Sequence, residues 1–485
     1  MICLANPGFL LGSLGWSVFD LGGWGAALIW GVTAAIVLPV QFIYSELAAM
    51  FPDRSGGVSI YANEGWRKYT TLIGPVATFG YWIGWSVVLS FIGLFTGYIA
   101  QAEWFPNEPY GTYAFGGAQI DEGYFSTGSV HIGLQHLIAI GLIVCVWAFN
   151  ILGARVFISF NYLAGVLLMF PLFCFTILPF INGDWDSANL TYKLNDPGLA
   201  WGGWQIALVW IWIMIWSTAP EASATFAPEY KDTVNDTRKA LLSSAAFILL
   251  INTMVPIGMT GGVGEKTVSA FDYVGALDQL VGASAANFFV VVICISFILS
   301  MNTATADGSR ALYGISKAGL TIKQLGQLNR FHVPGTAMSL DAVLNILFIF
   351  FVGNLFGILV ASNIGYVLAN MFAIGAFILL RRDRPDWPRP IKLPSYWVPI
   401  AGILFAAFAV FSVVGIGWLH TAGGGAVYGG TKERIIGFGV LAISLLLFLF
   451  RRIVQDGERP HWREETPRVP SEDPQAAPAL AAPAD

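Results

Sequence analysis

Charge is what this chain has least of. Asp, Glu, Lys and Arg make up 11% of its 485 residues, against 56% apolar residues, whereas soluble domains are about a quarter charged. That excludes a water-soluble fold, and the length leaves room for many membrane spans. Histidine is scarce: His131, His136, His332, His420 and His461 stand apart, and no pair has metal-ligand spacing. Cys3, Cys145, Cys174 and Cys294 all lie in apolar segments and read as small buried hydrophobes. No metal and no cofactor is expected. No basic residue precedes Arg54, so the first segment lacks the charged start of a signal peptide. A net charge of −5 gives no footprint for nucleic acid. No nucleophile–base pair points to an enzyme. "GGVGEKT" (Gly261–Thr267) falls short of a phosphate loop because Glu265 separates its glycine from Lys266, which argues against an ATP-driven pump.

What is present is long apolar runs. Windows able to span a bilayer occur at about 24–50, 72–100, 132–150, 157–181, 203–226, 241–262, 286–312, 336–352, 356–380, 397–419 and 435–450. Met1–Phe19 adds a shorter stretch, broken at Asn6-Pro7-Gly8, to give an all-α polytopic protein of about 12 spans. With the C-terminal end placed in the cytoplasm and the spans alternating, every Lys and Arg except Lys193, Lys266, Lys432 and Arg434 falls inside, as the positive-inside rule requires. A transmembrane domain over 1–455 is expected in the cytoplasmic membrane. Residues 456–485, rich in Pro, Ala and acids, are expected to form a disordered cytoplasmic tail.

One stretch breaks the pattern. "WSTAPEASATFAPEY" (Trp216–Tyr230) follows the apolar run "WQIALVWIWIMI" and carries Glu221 directly after Pro220. Proline removes a donor and clashes with the carbonyl four residues back, that of Trp216. Unpaired carbonyls in hydrocarbon cost several kcal/mol. Such a break suits a transporter site made of half-helix ends; the alternative is a kink satisfied by neighbouring helices. An intramembrane carboxylate costs at least ~2.5 kcal/mol on insertion scales and is a functional candidate. Glu221 reads as a proton carrier, or else as an interfacial residue paired with a basic loop.

Four segments together resemble the amino acid–polyamine–organocation (APC) superfamily: "YSELAAMFPDRSGGVSIYANEGW" (Tyr44–Trp66), "PEASATFAPEYKDTVNDTRKAL" (Pro220–Leu241), "SRALYGISKAGL" with "LNRFHVPGTAM" (Ser309–Met338), and "LLRRDRPDWPRPIKLP" (Leu379–Pro394). The resemblance implies a leucine-transporter-like five-plus-five inverted repeat, with the first repeat at about 1–181, the second at about 203–380, and two further helices within 397–450. It implies alternating access and the uptake or exchange of amino acids or amines, coupled to protons or a counter-substrate. Carried over by position, Pro7 and Gly8 belong to the substrate-binding first-helix break, Trp216 is an aromatic gate, Ser217, Thr218 and Ala219 supply backbone to the substrate, and Glu221 is the family's sixth-helix acid.

Three departures stand out. Ala219, followed by Pro220, stands where the family usually has a glycine two residues before the acid. No lysine lies between Arg155 and Lys193, where some members carry one for proton coupling. The family's Gly-rich first-helix break would fall on Met1–Leu4 or before it. Several tens of residues upstream of Met1 are therefore expected, with a shortened first helix as the alternative. Two function classes stay open: a secondary transporter, and a non-transporting substrate sensor or inactive truncated permease.

Other residues carry weaker signals. Glu46 is expected to anchor the loop at "PDRSGG". Asp307 and Arg310, three apart on one helix face, are expected to pair. Asn302 is a substrate contact or a helix–helix hydrogen bond. Tyr81, Trp82 and Trp85 line the pathway or simply pack. With no acidic cluster around Glu221, neutral amino acids are the expected substrates.

Overall fold

The computed structural model describes residues 7–112, 121–128, 130–195, 198, 200–218, 220–352, 355–418 and 430–467. The expectations placed on Met1–Leu4, on Ala219 and on the chain beyond 467 lie outside the described residues.

The apolar runs are helical because hydrocarbon offers backbone N–H and C=O groups no partner but each other. In chain order the helices are α1 (Pro7–Met50), α2 (Val58–Trp66), α3 (Ile73–Ser86), α4 (Val88–Trp104), α5 (Leu134–Ile151), α6 (Ala154–Thr176), α7 (Leu178–Asn182), α8 (Trp204–Ser217), α9 (Ala222–Thr225), α10 (Thr233–Val263), α11 (Glu265–Ser269), α12 (Tyr273–Val281), α13 (Ala283–Lys317), α14 (Gly335–Phe351), α15 (Leu355–Asp383), α16 (Trp397–Trp418) and α17 (Thr431–Phe450). An antiparallel hairpin, β1 (Phe125–Thr127) with β2 (Val130–Ile132), precedes α5 with Ser126 opposite His131. Among the described residues, 10 helical stretches are long and apolar enough to cross a membrane, with α3–α4 and α8–α9 each counted as one. The outward faces of α16 and α17 are apolar, with Ile403, Val413, Ile435 and Leu446 exposed. Such faces suit lipid rather than water.

α1 is two helices folded at Gly22, whose φ of 72° and ψ of 170° interrupt the helix. A side chain there would meet the Thr191 carbonyl at 2.5 Å, so the bend needs glycine. Thr191 and Glu265 clamp this turn. Trp24 N donates to Thr191 O at 3.0 Å, Gly23 N donates to Glu265 Oε1 at 2.6 Å, and the Thr191 hydroxyl donates to the same carboxylate at 2.9 Å. Glu265, the residue that spoils the phosphate-loop pattern, is thus a brace for the first hairpin.

At the opposite, arginine-rich end, two buried glutamates organise the loops. Glu46 accepts from Arg381 Nε at 2.9 Å and from Leu393 N at 2.7 Å, and lies 3.4 Å from Arg389. It anchors the loop after α15, not the "PDRSGG" loop expected from sequence. That loop belongs to Glu64 on α2, which holds Arg54, Arg67 (3.1 Å) and Arg384 (2.7 Å). Arg67 also pairs with Glu464, whose backbone N donates to Arg67 O at 2.9 Å. Thr71 bonds the carbonyls of His461 and Trp462 at 2.7 and 3.0 Å. Residues 461–464, within the stretch expected to be a free tail, are therefore tied to the loop between α2 and α3.

Candidate functional site

α8 stops at Ser217 and a one-turn helix, α9, restarts at Ala222. Between them lie Thr218, Pro220 and Glu221, all buried. The break is stabilised locally. The Thr218 hydroxyl donates back to the carbonyls of Met214 and Ile215, each at 3.1 Å, and the Ser223 hydroxyl donates to Pro220 O at 2.9 Å. Thr218 is thus occupied by its own helix, whereas the buried Ser217 hydroxyl has no partner among the described residues.

Glu221 is 2% exposed and accepts from the Tyr366 hydroxyl of α15. It makes no ion pair among the described residues, so the interfacial salt-bridge reading is not what the structure contains. Tyrosines surround it. The Tyr366 ring stacks on Tyr81 of α3 at 6.0 Å, and the Tyr44 hydroxyl donates to Asn370 Oδ1 at 2.7 Å. Tyr81 and Thr225 hydroxyls lie 3.5 Å apart, and both face the fully buried carboxylate of Asp307 on α13.

On the side away from the arginine-rich loops, aromatic rings close over this region. Trp216 packs on Phe9 at 4.5 Å and donates its indole N–H to Gly84 O at 2.6 Å. Farther along α1, Trp16 wedges against Phe271 and Phe356 at 4.6 and 4.5 Å. On the arginine-rich side a cavity of about 580 Å³ opens, with Arg54, Asn63, Arg67, Tyr313, Lys317 and Glu464 on its wall. Its inner limit is near Ser55, whose hydroxyl donates to Thr225 O at 3.5 Å.

The Amino acid permease family matches residues 8–445. The chain belongs to the amino acid permease family. It is a multi-pass membrane protein with its broken helix at the centre of the family match. Among its relatives, the glutamate/serine transporter AimA of Bacillus subtilis (strain 168) is 23% identical over 426 residues, covering 84% of this chain and 74% of that one. A putative arginine/ornithine antiporter of Escherichia coli (strain K12) is 22% identical over 376 residues, covering 74% and 76%. The branched-chain amino acid permease BcaP of Bacillus subtilis (strain 168) is 25% identical over 207 residues, 41% of this chain and 43% of that one.

The residues expected to form the permease's site do not all converge. Trp216, Ser217, Pro220 and Glu221 share the break, and Gly8, buried near the start of α1, precedes the Phe9 that packs on Trp216; Pro7 opens that helix. Asn302 is engaged elsewhere. It accepts from Asn150 at 2.5 Å and donates to Asn161 at 2.7 Å, joining α5, α6 and α13. That is the helix–helix alternative. The expected Asp307–Arg310 pair does not form. Arg310 extends along α13 to Glu229, where its Nη2 reaches Oε2 at 3.2 Å, while Nη1 donates to Ala306 O at 2.9 Å. The guanidinium also caps the Phe226 ring at 4.7 Å. A bidentate partner in the turn after α9 outcompetes a short carboxylate one turn back.

Sequence reasoning missed Tyr366, Thr225, Glu229 and Asp341. Only Asp341 carried a signal, a lone carboxylate inside the 336–352 apolar window. It is fully buried and accepts from Trp82 Nε1 at 2.8 Å.

The aromatic closure gives a direct test. A Cβ on Gly15 would lie 2.7 Å from the Phe271 ring and from Val268 O, and Phe271 itself holds a left-handed φ of 57°. Overpacking of this kind costs about 1–3 kcal/mol. Gly15→Val should therefore raise amide hydrogen exchange across 268–273 by about tenfold or more. Unchanged exchange there would show that the closure does not depend on this contact.

Proposed function

We propose that this permease is a secondary transporter that moves amino acids or related amines by alternating access, with protons as the coupling ion. The observation that carries the reading is the helix break at Ser217–Glu221, which puts an interrupted helix, the unpartnered Ser217 hydroxyl and a buried carboxylate together among apolar helices. Family membership and relatives named as transporters and antiporters support it. The topology supports twelve spans, with α1 contributing two and the shorter α14 one. Five then precede α8 and five run from α8–α9 to α15, with α16 and α17 as the additional pair. The concentration of arginines at one end supports a cytoplasmic C-terminus. In this reading the aromatic closure is the outer gate, and the cavity is an inward-facing vestibule.

Glu221 is the proposed proton carrier. A carboxylate sealed in a low-dielectric core must hold either a proton or a positive partner, and among the described residues no base reaches it. Trp216 is the lid over the break, and the free Ser217 hydroxyl is the side-chain contact offered to substrate. Ala219 remains a proposed backbone contact.

The test is transport by the purified protein in proteoliposomes. Internal alkalinity should drive accumulation of a labelled amino acid, and substrate loaded inside should accelerate entry of label. Binding without either movement would replace the transporter reading with that of a sensor. Neither binding nor movement across the standard amino acids and simple amines would remove both.

A further inference from the structure

Six acids of this protein form two contrasting sets of three. Glu46, Glu64 and Glu229 each hold arginine. Glu221, Asp307 and Asp341 are at most 2% exposed and have no basic partner among the described residues. All three sit in the core formed by α3, α8–α9, α13, α14 and α15. Several kcal/mol oppose each uncompensated charge there. Asp341 is largely accounted for. It takes the Trp82 indole N–H, and Asn345, one turn on, joins its backbone carbonyl to Ser86.

Asp307 is not accounted for. It is fully buried, and neither carboxylate oxygen meets a hydrogen-bond donor among the described residues. The hydroxyls of Thr225 and Tyr81 face it without closing on it. The nearest base, Arg310, is committed to Glu229 and Ala306 O. Asp307 lies behind Thr225, the residue whose carbonyl Ser55 contacts at the inner limit of the vestibule. Glu221 and Thr225 are four residues apart on one turn, about 6 Å along the axis. The carboxylate is thus about one turn from the break, the scale of a three- or four-carbon side chain. The stacked pair of Tyr81 and Tyr366 links the two acids, the Tyr366 hydroxyl donating to Glu221 and the Tyr81 hydroxyl facing Asp307.

We propose that Asp307 is the counter-charge for a positively charged side chain on the substrate, so that this permease selects basic amino acids such as ornithine or arginine. The proposal rests on the transporter reading above. It divides the work of the two acids: Glu221 carries the proton, and Asp307 receives the ammonium or guanidinium. It also reverses the expectation of neutral substrates, which assumed that no second acid stood near Glu221.

The test is calorimetric titration of the purified full-length protein with ornithine, arginine, serine, leucine and glutamate. Ornithine or arginine should bind at least about tenfold more tightly than serine or leucine, the order of one charge-assisted contact. Asp307→Asn should reduce that ratio to near unity while serine binding changes less than about twofold. Asp307→Glu, which keeps the charge, should retain most of the preference. Equal or tighter binding of serine, leucine or glutamate by the wild type would overturn the proposal and leave the transporter reading standing. So would a preference that survives in Asp307→Asn. If Asp307→Asn does not fold, the wild-type ratio still decides. No binding of any of the five would overturn this proposal and weaken the transporter reading with it.

Discussion

Glu221→Gln is expected to leave the protein folded and able to bind substrate while abolishing the effect of a pH gradient on uptake. The side-chain oxygen that accepts from Tyr366 is retained in glutamine, and the bond from Ala224 N to the Glu221 carbonyl, 2.8 Å, involves only backbone. What is lost is the capacity to take up and release a proton. A one-unit gradient, inside alkaline, is worth about 1.4 kcal/mol per proton, or about tenfold accumulation at one proton per substrate. In proteoliposomes the wild type should show that gain and Glu221→Gln should show a ratio near one, with counterflow intact. The other titratable groups facing this carboxylate are Tyr366, Tyr44, Tyr81 and Asp307. Pronounced pH-driven accumulation in Glu221→Gln would move the proton to Asp307 and overturn the division of roles proposed above.

How much of this was legible in the sequence follows from what each feature depends on. Spans are set by hydropathy over about 20 residues, a local property, so α13 and α15 begin and end near their expected positions, whereas α10 starts at Thr233, ahead of its apolar window, on the polar turn that Asp232 caps. The fold of α1 at Gly22 was visible only as a gap between two apolar windows. The glycine's necessity comes from Thr191, far away in sequence. The break at Pro220 was legible because proline and a carboxylate are each costly in a membrane. The partners of the charges were not, because pairing depends on which loops meet. Glu46 chose Arg381 across the fold over its own neighbouring loop, and Arg310 chose Glu229 over Asp307, one turn away. Asn302 had two readings, substrate contact or helix–helix bond, and only the fold shows that its amide bonds Asn150 and Asn161. Side-chain hydrogen bonds between helices leave no periodic trace in a sequence. Asp341 shows the opposite failing: the rule that singled out Glu221 applied to it equally.

The largest loss of stability is expected at Glu64, a residue with no expected role. Its side chain is 1% exposed and answers Arg384, itself 3% exposed, together with Arg54 and Arg67. Removing one member of a buried ion cluster leaves the others desolvated and unpaired, at a cost of about 3–5 kcal/mol. Glu64→Ala should therefore lower the thermal unfolding midpoint in detergent far more than Arg67→Ala, since Arg67 is partly exposed and shares Glu464. The pH dependence separates charge from packing. Burial pushes the Glu64 carboxyl up, but Arg54, Arg384 and Arg67 outweigh it and hold the group below its ordinary value of 4.5. A carboxyl depressed by folding stabilises the native state fully above its unfolded value. That contribution disappears as pH falls through the folded value. The stability gap between wild type and Glu64→Gln should thus be constant from neutral pH down to about 4.5 and narrow below it. A gap that stays constant through acid would mean that Glu64 acts by shape alone. In that case the arginines around it would be held by the bilayer surface and the 461–464 segment, not by this carboxylate.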